Sequence, residues 1–440
     1  MKIMKFGGTS VGLPQRMHEV AKLITSDGEE KIVVLSAVSG TTNSLVEISS
    51  LLGKGDREGA KQKIDALEAH YNKFIEGLVK TPKGMSQAQE ILKEHFEFLN
   101  IILKISFSEA LNKDILAQGE LLSTKLFSVY LDEQGIQHFL LPALNFMSID
   151  ENDEPQVPMI KHKLEQHLAQ HGATKLFITQ GFICRNSRGE VDNLKRGGSD
   201  YTASLVAAAI QASVCEIWTD ISGMHNNDPR IVNKTVAIEN LSFDEAAELA
   251  YFGAKILHPA SIWPAQQYKV PVKLLNTMEP AAKGTTISSE VTLKGAKAVA
   301  AKDNITAVKI KSSRMLLAYG FLRKVFEIFE KYKTSIDMVT TSEVAVSVTI
   351  DSDAALPAIK KELETLGHVE IDKNQTIVSI VGNEIASDAT SLQKVFSSLE
   401  GINVRMVSYG GSDNNISLLV PGDQKKQVLQ QLNSGVFGLV

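Results

Sequence analysis

Short apolar runs alternate with longer amphipathic stretches along roughly the first 289 residues of the chain. Runs this short fit buried strands, and the stretches between them have helical spacing. Alternation of this kind is typical of a mostly parallel sheet covered by helices. The runs that we predict as strands are residues 3–6, 31–36, 138–141, 175–179, 215–219 and 271–275. Between about residues 44 and 135 the pattern is helix-rich.

Beyond residue 289 the pattern changes to two shorter units that resemble each other. Residues 321–326 (FLRKVF) match 391–396 (SLQKVF), 336–339 match 404–407, and 346–348 match 416–418. Each copy reads as strand, helix, strand, strand, helix, with a further strand at the end. This is the order of a ferredoxin-like βαββαβ unit. We therefore predict two such units in tandem.

Composition and charge narrow the function classes. The chain has 440 residues, 43% of them apolar, which suffices for two or three domains with their own cores. A formal net charge of −5 argues against nucleic acid or a membrane surface as partner. We find no signal-peptide pattern and no apolar run that could span a bilayer. Cys184 and Cys215 form no CxxC pair, so we expect two small buried hydrophobes and a cytoplasmic location.

A glycine turn follows the first predicted strand. Lys5 lies near the end of that strand, and Gly7, Gly8, Thr9 and Ser10 come next. The glycines allow a tight turn with inward-pointing N–H groups, the hydroxyls add donors, and the lysine adds positive charge. We predict an anion cradle; the alternative is a surface turn with a solvated lysine. The lysine precedes the glycines, so this is neither a GxxxxGK[ST] nor a GxGxxG motif.

Three further segments carry chemistry of the same kind. Residues 197–200 (GGSD) form a second glycine turn, which follows Lys195 and Arg196 and precedes an alanine-rich helical run. The strand at 215–219 ends in Asp220 and is followed by residues 228–230 (DPR), whose arginine can reach a phosphate. The fourth segment is 252–255 (FGAK), closed by His258 and Pro259. Together the four segments predict a phosphoryl-transfer site.

These motifs resemble those of the aspartate kinases. The matching stretches are residues 5–11, 196–203, 218–220 with 228–230, and 252–255 with 257–260, in the family's order and spacing. The resemblance implies an α/β fold: an amino acid kinase domain at residues 1–292, which is a three-layer αβα sandwich with a mainly parallel sheet. Two ferredoxin-like ACT domains would follow at 293–373 and 374–440. It also implies transfer of the γ-phosphoryl group of ATP to the side-chain carboxylate of L-aspartate, the first step of lysine, threonine and methionine biosynthesis.

The chemistry of such a reaction depends on charge. A carboxylate acceptor, with an ordinary pKa of about 3.9, is ionised at neutral pH and needs no general base. The barrier is the approach of one anion to another, so catalysis consists of positioning and cation shielding. The resemblance implies that Lys5 and Asp200 form the catalytic pair. Lys5 would stabilise the transferring group, and Asp200 would orient Lys5 or hold magnesium.

Substrate recognition requires groups for the α-carboxylate and the α-ammonium. Arg196 can clamp a carboxylate with two parallel hydrogen bonds. Glu120 begins a predicted helix and can take the ammonium; the alternative is an ordinary first-turn helix acid. Glu120, Arg196 and Thr42 match substrate residues of the family, and Gly197, Gly198 and Ser199 complete the acceptor turn.

Nucleotide contacts are implied at several positions. Thr219 and Asp220 end a strand at the edge where ligands of open parallel sheets bind. Arg230 and Lys255 match the family's phosphate contacts, although Lys255 also reads as a solvated helix lysine. Magnesium would arrive with ATP, with few protein ligands of its own and no dedicated metal site.

The chain departs from the family's pattern in two places. Lys195 stands where glycine is common, which can alter the turn or add a cation near the acceptor. Residues 224–227 (MHNN) stand where an aromatic followed by threonine is usual. His225 replaces a tyrosine on the adenine side and is kept among the expected nucleotide contacts. Neither departure removes a group that the chemistry requires.

The first repeat also resembles the effector site of the lysine-sensitive aspartate kinases. Asp337 would receive the effector's ammonium, and Ser335 and Ser342 its carboxylate. The alternative is ordinary turn and strand residues. The resemblance implies feedback inhibition by lysine bound between ACT copies of two subunits, in a homodimer or homotetramer; the repeat can also serve as a dimer interface alone. The implied effector residues are Met315, Gly320, Phe321, Leu322, Ser335, Ile336, Asp337, Ser342 and Glu343.

Other functions remain open. A sister kinase acting on glutamate, acetylglutamate, carbamate or a nucleoside monophosphate shares the glycine cradle, but the tandem repeat and the Arg196 motif argue against it. A non-catalytic amino-acid sensor would have no reason to keep Lys5, Asp200, Arg196 and Glu120 together. Fusion to homoserine dehydrogenase is not expected, because no dinucleotide fingerprint appears.

Overall fold

The computed structural model describes residues 1–194, 197–253, 257–290, 294–312 and 319–439. They fall into two units, each with its own sheet. The first unit comprises Met1–Met224, Glu239–Phe243 and Ile256–Ser289. The second comprises His225–Ile238, Asp244–Lys255 and Glu290–Val440.

An eight-stranded sheet organises the first unit. In chain order, and including a separate hairpin (β5 and β6), its strands are β1 (Lys2–Phe6), β2 (Lys31–Leu35), β3 (Phe139–Leu140), β4 (Leu176–Gln180), β5 (Ile183–Arg185), β6 (Val191–Asn193), β7 (Cys215–Thr219), β8 (Asn240–Ser242), β9 (Val272–Asn276) and β10 (Thr285–Ser288). The sheet order is β3-β4-β2-β1-β7-β9-β10-β8, and every neighbouring pair is parallel except β9 with β10. β1 therefore lies inside the sheet, with Lys5 aligned to Val34 of β2 and Ile217 of β7.

Helices cover this sheet and begin where the sequence supplies caps. Asp56, Thr81 and Ser108 each accept a backbone N–H of the first turn of a helix, which satisfies an otherwise unpaired donor. Buried apolar side chains of four consecutive helices, α2 to α5, share one core with those of β1 and β2. The helices are α1 (Pro14–Thr25), α2 (Thr41–Gly53), α3 (Arg57–Leu78), α4 (Pro82–Ile102), α5 (Glu109–Glu133), α6 (Val157–Gln170), α7 (Gly198–Ala209) and, after α8 (Phe243–Tyr251), α9 (Pro259–Gln267).

The second unit contains a six-stranded antiparallel sheet in the order β12-β13-β11-β14-β16-β15. Its strands are β11 (Ala298–Lys311), β12 (Val339–Thr341), β13 (Ala345–Ile350), β14 (His368–Val381), β15 (Met406–Ser408) and β16 (Asn415–Pro421). Its helices, besides residues 244–251 of α8, are α10 (Phe321–Lys331), α11 (Leu356–Leu363), α12 (Ala389–Ser397) and α13 (Lys425–Phe437).

The two predicted repeats share their inner strands. β11 and β14 pair along their whole length, with register shifts between Lys302 and Ala307. On one side of these shifts the pair joins β13 and β12, and on the other side it joins β16 and β15. The second copy thus takes its remaining strand from residues 298–302, which precede the first copy's helices. The boundary predicted at residue 374 falls within β14, and the domain limits remain a prediction.

Each copy nevertheless has its own apolar core. Val325 and Phe329 of α10 lie in the first core, and Val395 of α12 lies in the second. The segment 225–238 joins the second core through Val232. The segment 244–255 contacts β11 through Gly253, where an added Cβ would lie 2.3 Å from the carbonyl oxygen of Ala301.

Most of the predicted pattern is confirmed. The six predicted strands are present within one or two residues at each end, and the region 44–135 is helical. The first copy has the ferredoxin-like order βαββαβ, whereas the second has this order up to α13 and takes its sixth strand from residues 298–302. The hairpin β5–β6 and strands β8 and β10 were not predicted. Cys184 and Cys215 are buried free thiols, as expected. Among the helices of the described ranges, none combines the length and apolarity needed to cross a bilayer.

Candidate active site

The central feature of the first unit is an ion pair between Lys5 and Asp200. The Nζ atom of Lys5 lies 2.6 Å from Oδ1 of Asp200, and the two side chains are 10% and 19% exposed. Lys5 comes from β1, while Asp200 comes from the first turn of α7. The structure thus brings together the two residues predicted as the catalytic pair, at the carboxyl edge of the sheet.

The first glycine turn leaves space around this lysine. A Cβ atom on Gly7 would lie 3.3 Å from Nζ of Lys5, and one on Gly8 would lie 3.2 Å from the carbonyl oxygen of Ala37. The hydroxyl of Ser10, which we predict as a donor to the anion, also has a contact within the unit. Its Oγ is buried and lies 2.7 Å from Oγ1 of Thr277, so it links the turn to the segment after β9.

Close packing surrounds the second glycine turn. Gly197 has a φ of 68°, which favours glycine, and it precedes α7 directly. A Cβ atom on Gly181, at the end of β4, would lie 2.3 Å from both Cβ and Oγ of Ser199. The first turn of α7, with Ser199 and Asp200, can approach the sheet this closely only because residue 181 has no side chain.

A cavity of about 450 Å³ opens between these two turns within the first unit. Its walls include Thr42 and Glu120 as well as Phe182, which is held at an unusual φ of 65°. Its full lining is Gly8, Thr9, Ser36, Ala37, Val38, Ser39, Gly40, Thr42, Asn43, Glu120, Phe182, Gly198 and Ser199. Four of the five predicted acceptor residues that the structure describes, Thr42, Glu120, Gly198 and Ser199, therefore line one space. Gly197 adjoins it in sequence.

Glu120 is the buried acid of this cavity. It is 3% exposed, and Oε1 accepts a hydrogen bond of 3.3 Å from the backbone N–H of Ala37. Within the described part of the chain, the buried Oε2 atom has no hydrogen-bond partner. Burial raises the pKa of Glu120 to about 8, against the opposing hydrogen bond from Ala37 and the charge of Lys5. A carboxyl group in this setting favours a cationic ligand that would restore its charge.

The structure corrects the local prediction for Glu120. The sequence placed this residue at the start of a helix, but α5 begins at Glu109, so Glu120 lies near its middle. The prediction of the helix start was wrong because Ser108, which accepts the N–H of Leu111, caps the helix three turns earlier. The alternative role as a first-turn acid is thereby excluded.

Behind the cavity, a buried phenol supports the start of α2. The hydroxyl of Tyr71 in α3 lies 2.8 Å from Oγ1 of Thr41, which directly precedes Thr42. Both residues are almost fully buried. This contact fixes the first turn of α2, whose residues Thr42 and Asn43 face the cavity.

Two of the predicted nucleotide residues lie at the end of β7. The backbone carbonyl of Thr219 accepts the N–H of Thr277, and its Oγ1 atom accepts the N–H of Ile221. Asp220 is exposed. Both residues thus lie at the same edge of the sheet as Lys5, because β1 and β7 are parallel neighbours.

The other nucleotide candidates belong to the second unit. Arg230 is 79% exposed on its side chain and makes a two-point contact with Asp228, from Nε to Oδ1 at 2.9 Å and from Nη2 to Oδ2 at 2.7 Å. His225 is half-buried with Nδ1 2.9 Å from Oγ1 of Thr235, and burial lowers its pKa. Lys255, like Lys195 and Arg196, lies outside the described residues.

The predicted effector residue Asp337 is already paired inside the second unit. Its side chain is 1% exposed, and Oδ1 accepts hydrogen bonds of 2.8 Å from Nζ of Lys302 and from the hydroxyl of Tyr251. Lys302 also lies 3.0 Å from Asp351 and over the ring of Tyr251. The buried Oδ2 atom of Asp337 has no partner among the described residues.

The remaining effector candidates are spread over different environments. Phe321 lies in the first core of the second unit and Ile336 packs against it, whereas Leu322, Ser335 and Glu343 are exposed. Ser342 lines a second cavity of about 480 Å³. Gly320 has a φ of 79° and precedes α10. Met315 lies outside the described residues.

Comparison with known proteins follows the same division of the chain. A model of the amino acid kinase family matches residues 1–276, and one of the ACT domain matches residues 378–435. Lysine-sensitive aspartokinase 3 of Escherichia coli is 35% identical over 447 residues, which cover 99% of both chains. The chain belongs to the aspartokinase family. The resemblance inferred from the four motifs is thereby confirmed.

Solved aspartokinase structures extend the match to the fold. The structure of E. coli aspartokinase III in complex with aspartate and ADP (R-state) superposes with a TM-score of 0.83 at 34% identity, over 99% of this chain and 100% of that one. A structure of the same enzyme with lysine and aspartate (T-state) gives a TM-score of 0.83 at 35% identity, over 99% of each chain. The predicted kinase and ACT fold is confirmed.

Several residues of this aspartokinase's site were not found from the sequence. Gly181 directly follows a predicted strand, and a glycine at that place is a usable signal of close approach. Phe182 and Tyr71 gave no such signal, since an aromatic residue reads first as core. Lys302 and Tyr251 were also missed, because their partner Asp337 is distant in sequence.

We predict that Gly181→Ala destabilises the first unit, because the added methyl group would overlap Ser199. The expected loss is about 1–3 kcal/mol in the free energy of unfolding. Denaturant unfolding followed by tryptophan fluorescence measures it, since the chain's two tryptophans, Trp218 and Trp263, both lie in this unit. Gly172→Ala is the matched control, because its nearest atom would be 3.8 Å away. Equal stability of the two variants would contradict the packing described.

Proposed function

We propose that this aspartokinase transfers the γ-phosphoryl group of ATP to the side-chain carboxylate of L-aspartate and gives 4-phospho-L-aspartate. The observation that carries the proposal is a cavity lined by Ser199 and the buried Glu120, together with the ion pair that Asp200, the next residue of α7, forms with Lys5. The relative from E. coli, which was crystallised with aspartate and ADP, supports the same substrates. The reaction would be the first step of lysine, threonine and methionine biosynthesis.

Charge shielding is the main catalytic task in this proposal. The acceptor carboxylate and the triphosphate are both anions, so the approach in line needs a cation at the transferring group. Lys5 supplies it, and Asp200 fixes the direction of Lys5 through their 2.6 Å contact. Backbone N–H groups of the two glycine turns would add donors for phosphate in the first unit. Arg230 and Lys255 remain the proposed nucleotide contacts of the second unit.

Magnesium would accompany the nucleotide. The triphosphate supplies the oxygen ligands that this ion prefers, and bound magnesium neutralises phosphate charge. Within the described ranges, no group of three His, Cys, Asp or Glu side chains is arranged as a protein-held metal site requires. The protein's own part is therefore to position the nucleotide and the acceptor.

Recognition of aspartate would divide between two charges. The α-ammonium group would bind Glu120, which lines the cavity. The Oε2 atom of Glu120 has no hydrogen-bond partner among the described residues. The α-carboxylate would bind Arg196 in the turn that precedes α7. An acidic acceptor with one more methylene, such as glutamate, would place its distal carboxylate differently relative to Lys5, which favours aspartate over the sister-kinase alternative.

Regulation by lysine is the second part of the proposal. The relative named lysine-sensitive supports it, as does a buried carboxylate in the second unit that already holds an ammonium group. The effector's ammonium would take the unpartnered Oδ2 atom of Asp337 or displace Lys302 from Oδ1. Lysine would then shift the population towards an inactive state of an ACT-mediated homodimer or homotetramer. A cytoplasmic location remains a prediction.

The kinase proposal is tested by trapping the acyl phosphate. With ATP, magnesium and hydroxylamine, aspartate should give a hydroxamate, and glutamate little or none. Lys5→Ala should lower turnover by about a hundred- to a thousandfold, because the transition-state charge loses its cation. Lys273→Ala, an exposed lysine of β9, should leave turnover unchanged. Near-normal turnover in Lys5→Ala would refute the assigned site, and equal yields with glutamate would refute the acceptor.

The pH dependence of aspartate binding tests the role of Glu120. Below pH 8 its carboxyl group is protonated, so binding an ammonium group must release a proton. The KM for aspartate should therefore fall as pH rises from 6 to 8, by up to about tenfold per pH unit, and level off above. Glu120→Gln should bind aspartate weakly at every pH without this slope. Glu109→Gln, an exposed acid of the same helix, should behave as wild type. A flat wild-type profile would exclude the assignment.

For the effector site, activity is compared with and without millimolar lysine. Wild type should be inhibited, whereas Asp337→Asn should keep its activity, because a neutral amide no longer attracts the ammonium group. Asp423→Asn, an exposed acid of the second unit, should remain inhibited. Wild-type activity that is unchanged at saturating lysine would remove the regulatory proposal and leave the kinase proposal intact.

A further inference from the structure

Three buried asparagines meet in the second unit. Two of them are adjacent in sequence, and the third is about 200 residues further along the chain. Asn226 and Asn227 follow His225 in the segment that departs from the family's pattern, and Asn433 lies in α13, the last helix. They are 5%, 3% and 2% exposed. Polar side chains buried this deeply are retained at a cost unless their hydrogen bonds are satisfied.

Asn433 satisfies the group almost completely. Its Oδ1 atom accepts a hydrogen bond from Nδ2 of Asn226 at 3.1 Å and a longer one from Nδ2 of Asn227 at 3.5 Å. The Nδ2 atom of Asn227 also donates to the carbonyl oxygen of Leu429, in the same helix, at 3.0 Å. The Nδ2 atom of Asn433 donates to the carbonyl oxygens of Lys234 at 3.0 Å and Leu439 at 3.1 Å. One amide therefore holds both ends of the segment 226–234 against α13.

Further hydrogen bonds connect Asn227 to Arg230, the residue that we predict to contact phosphate. Oδ1 of Asn227 accepts the backbone N–H of Asp228 at 2.9 Å. The carboxylate of Asp228 in turn accepts the backbone N–H and the guanidinium of Arg230. The segment is closed on its other side, where Oδ1 of Asn226 accepts the N–H of Val236 at 2.6 Å. Every link from Asn433 to Arg230 is thus a directed hydrogen bond or one peptide unit.

The surroundings argue that this polar group has a purpose beyond filling space. Val428, Leu429 and Leu432 of α13 and Val232 of the segment are buried and apolar. Apolar side chains of similar volume at the three asparagine positions would pack there without any need for partners. A fully satisfied polar network instead fixes a single geometry, which suits a segment that must present a charge in one direction.

We propose that Asn433 is a positioning residue for the nucleotide: it holds residues 226–230 so that the guanidinium of Arg230 meets the phosphates. The inference rests on the proposed kinase function, which supplies both the nucleoside triphosphate as ligand and Arg230 as its phosphate contact. It also gives the asparagines at 226 and 227 a physical role.

The test measures binding of MgADP by titration calorimetry, without any acceptor. Asn433→Leu should weaken binding by about tenfold, as should Arg230→Met. The double variant Arg230→Met/Asn433→Leu should bind no more weakly than Arg230→Met alone, since both changes remove the same contact. Asn403→Leu, an exposed asparagine of the same unit, should bind as wild type. In turnover assays, Asn433→Leu should raise the KM for ATP and leave the KM for aspartate unchanged.

Two results would overturn the inference: normal MgADP binding by folded Asn433→Leu, or losses that add in the double variant, which would indicate a general effect on folding. If Asn433→Leu does not fold, the same cycle with Asn227→Ser interrupts the route nearer to Arg230 and is judged by the same two readings. The MgADP titration contains no acceptor, so it can be interpreted even if aspartate proves not to be the substrate. Conversely, normal turnover with aspartate would not save the inference if MgADP binding by Asn433→Leu is normal.

Discussion

The ion pair of Lys5 and Asp200 is the contact on which the first unit's chemistry depends. It joins the innermost strand to the first turn of α7, and its partial burial strengthens the attraction between the charges. Gly181 permits the close approach of the first turn of α7, since a side chain there would overlap Ser199. The cavity beside the pair, with its protonated acid, then follows from where these backbones run.

The sequence predicted the elements that have strong local signals. Apolar runs marked the strands, and glycine turns marked two walls of the cavity. The pairing of Lys5 with Asp200 came from resemblance to the aspartate kinases, because nothing local joins residues so distant along the chain. The burial of Glu120, and with it the raised pKa, could not be predicted, because both depend on packing by segments from other parts of the sequence. Lys302 and Tyr251 escaped notice for the same reason: an exposed-looking lysine becomes informative only once Asp337 is beside it.

Two segments illustrate how motif and domain can diverge. Residues 225–238 and 244–255 carry motifs that we propose for the nucleotide, yet they pack within the second unit, through Val232, the asparagine group and Gly253. Sequence order alone assigns them to the catalytic part. Packing assigns them to the part that also contains Asp337, so residues proposed for the nucleotide and for the effector belong to the same unit.

The strand sharing in the second sheet limits how this protein can be dissected. Because residues 298–302 of β11 pair with residues 377–381 of β14, the second ferredoxin-like copy is not a contiguous piece of chain. A fragment that starts at residue 374 would lack an inner neighbour for β14 and expose a long apolar edge. A chimera that exchanges only the last copy between relatives would pair its β14 with residues 298–302 of a different protein. The smallest fragment of this sheet that could be transferred to another protein therefore has to include both copies and begin before residue 298.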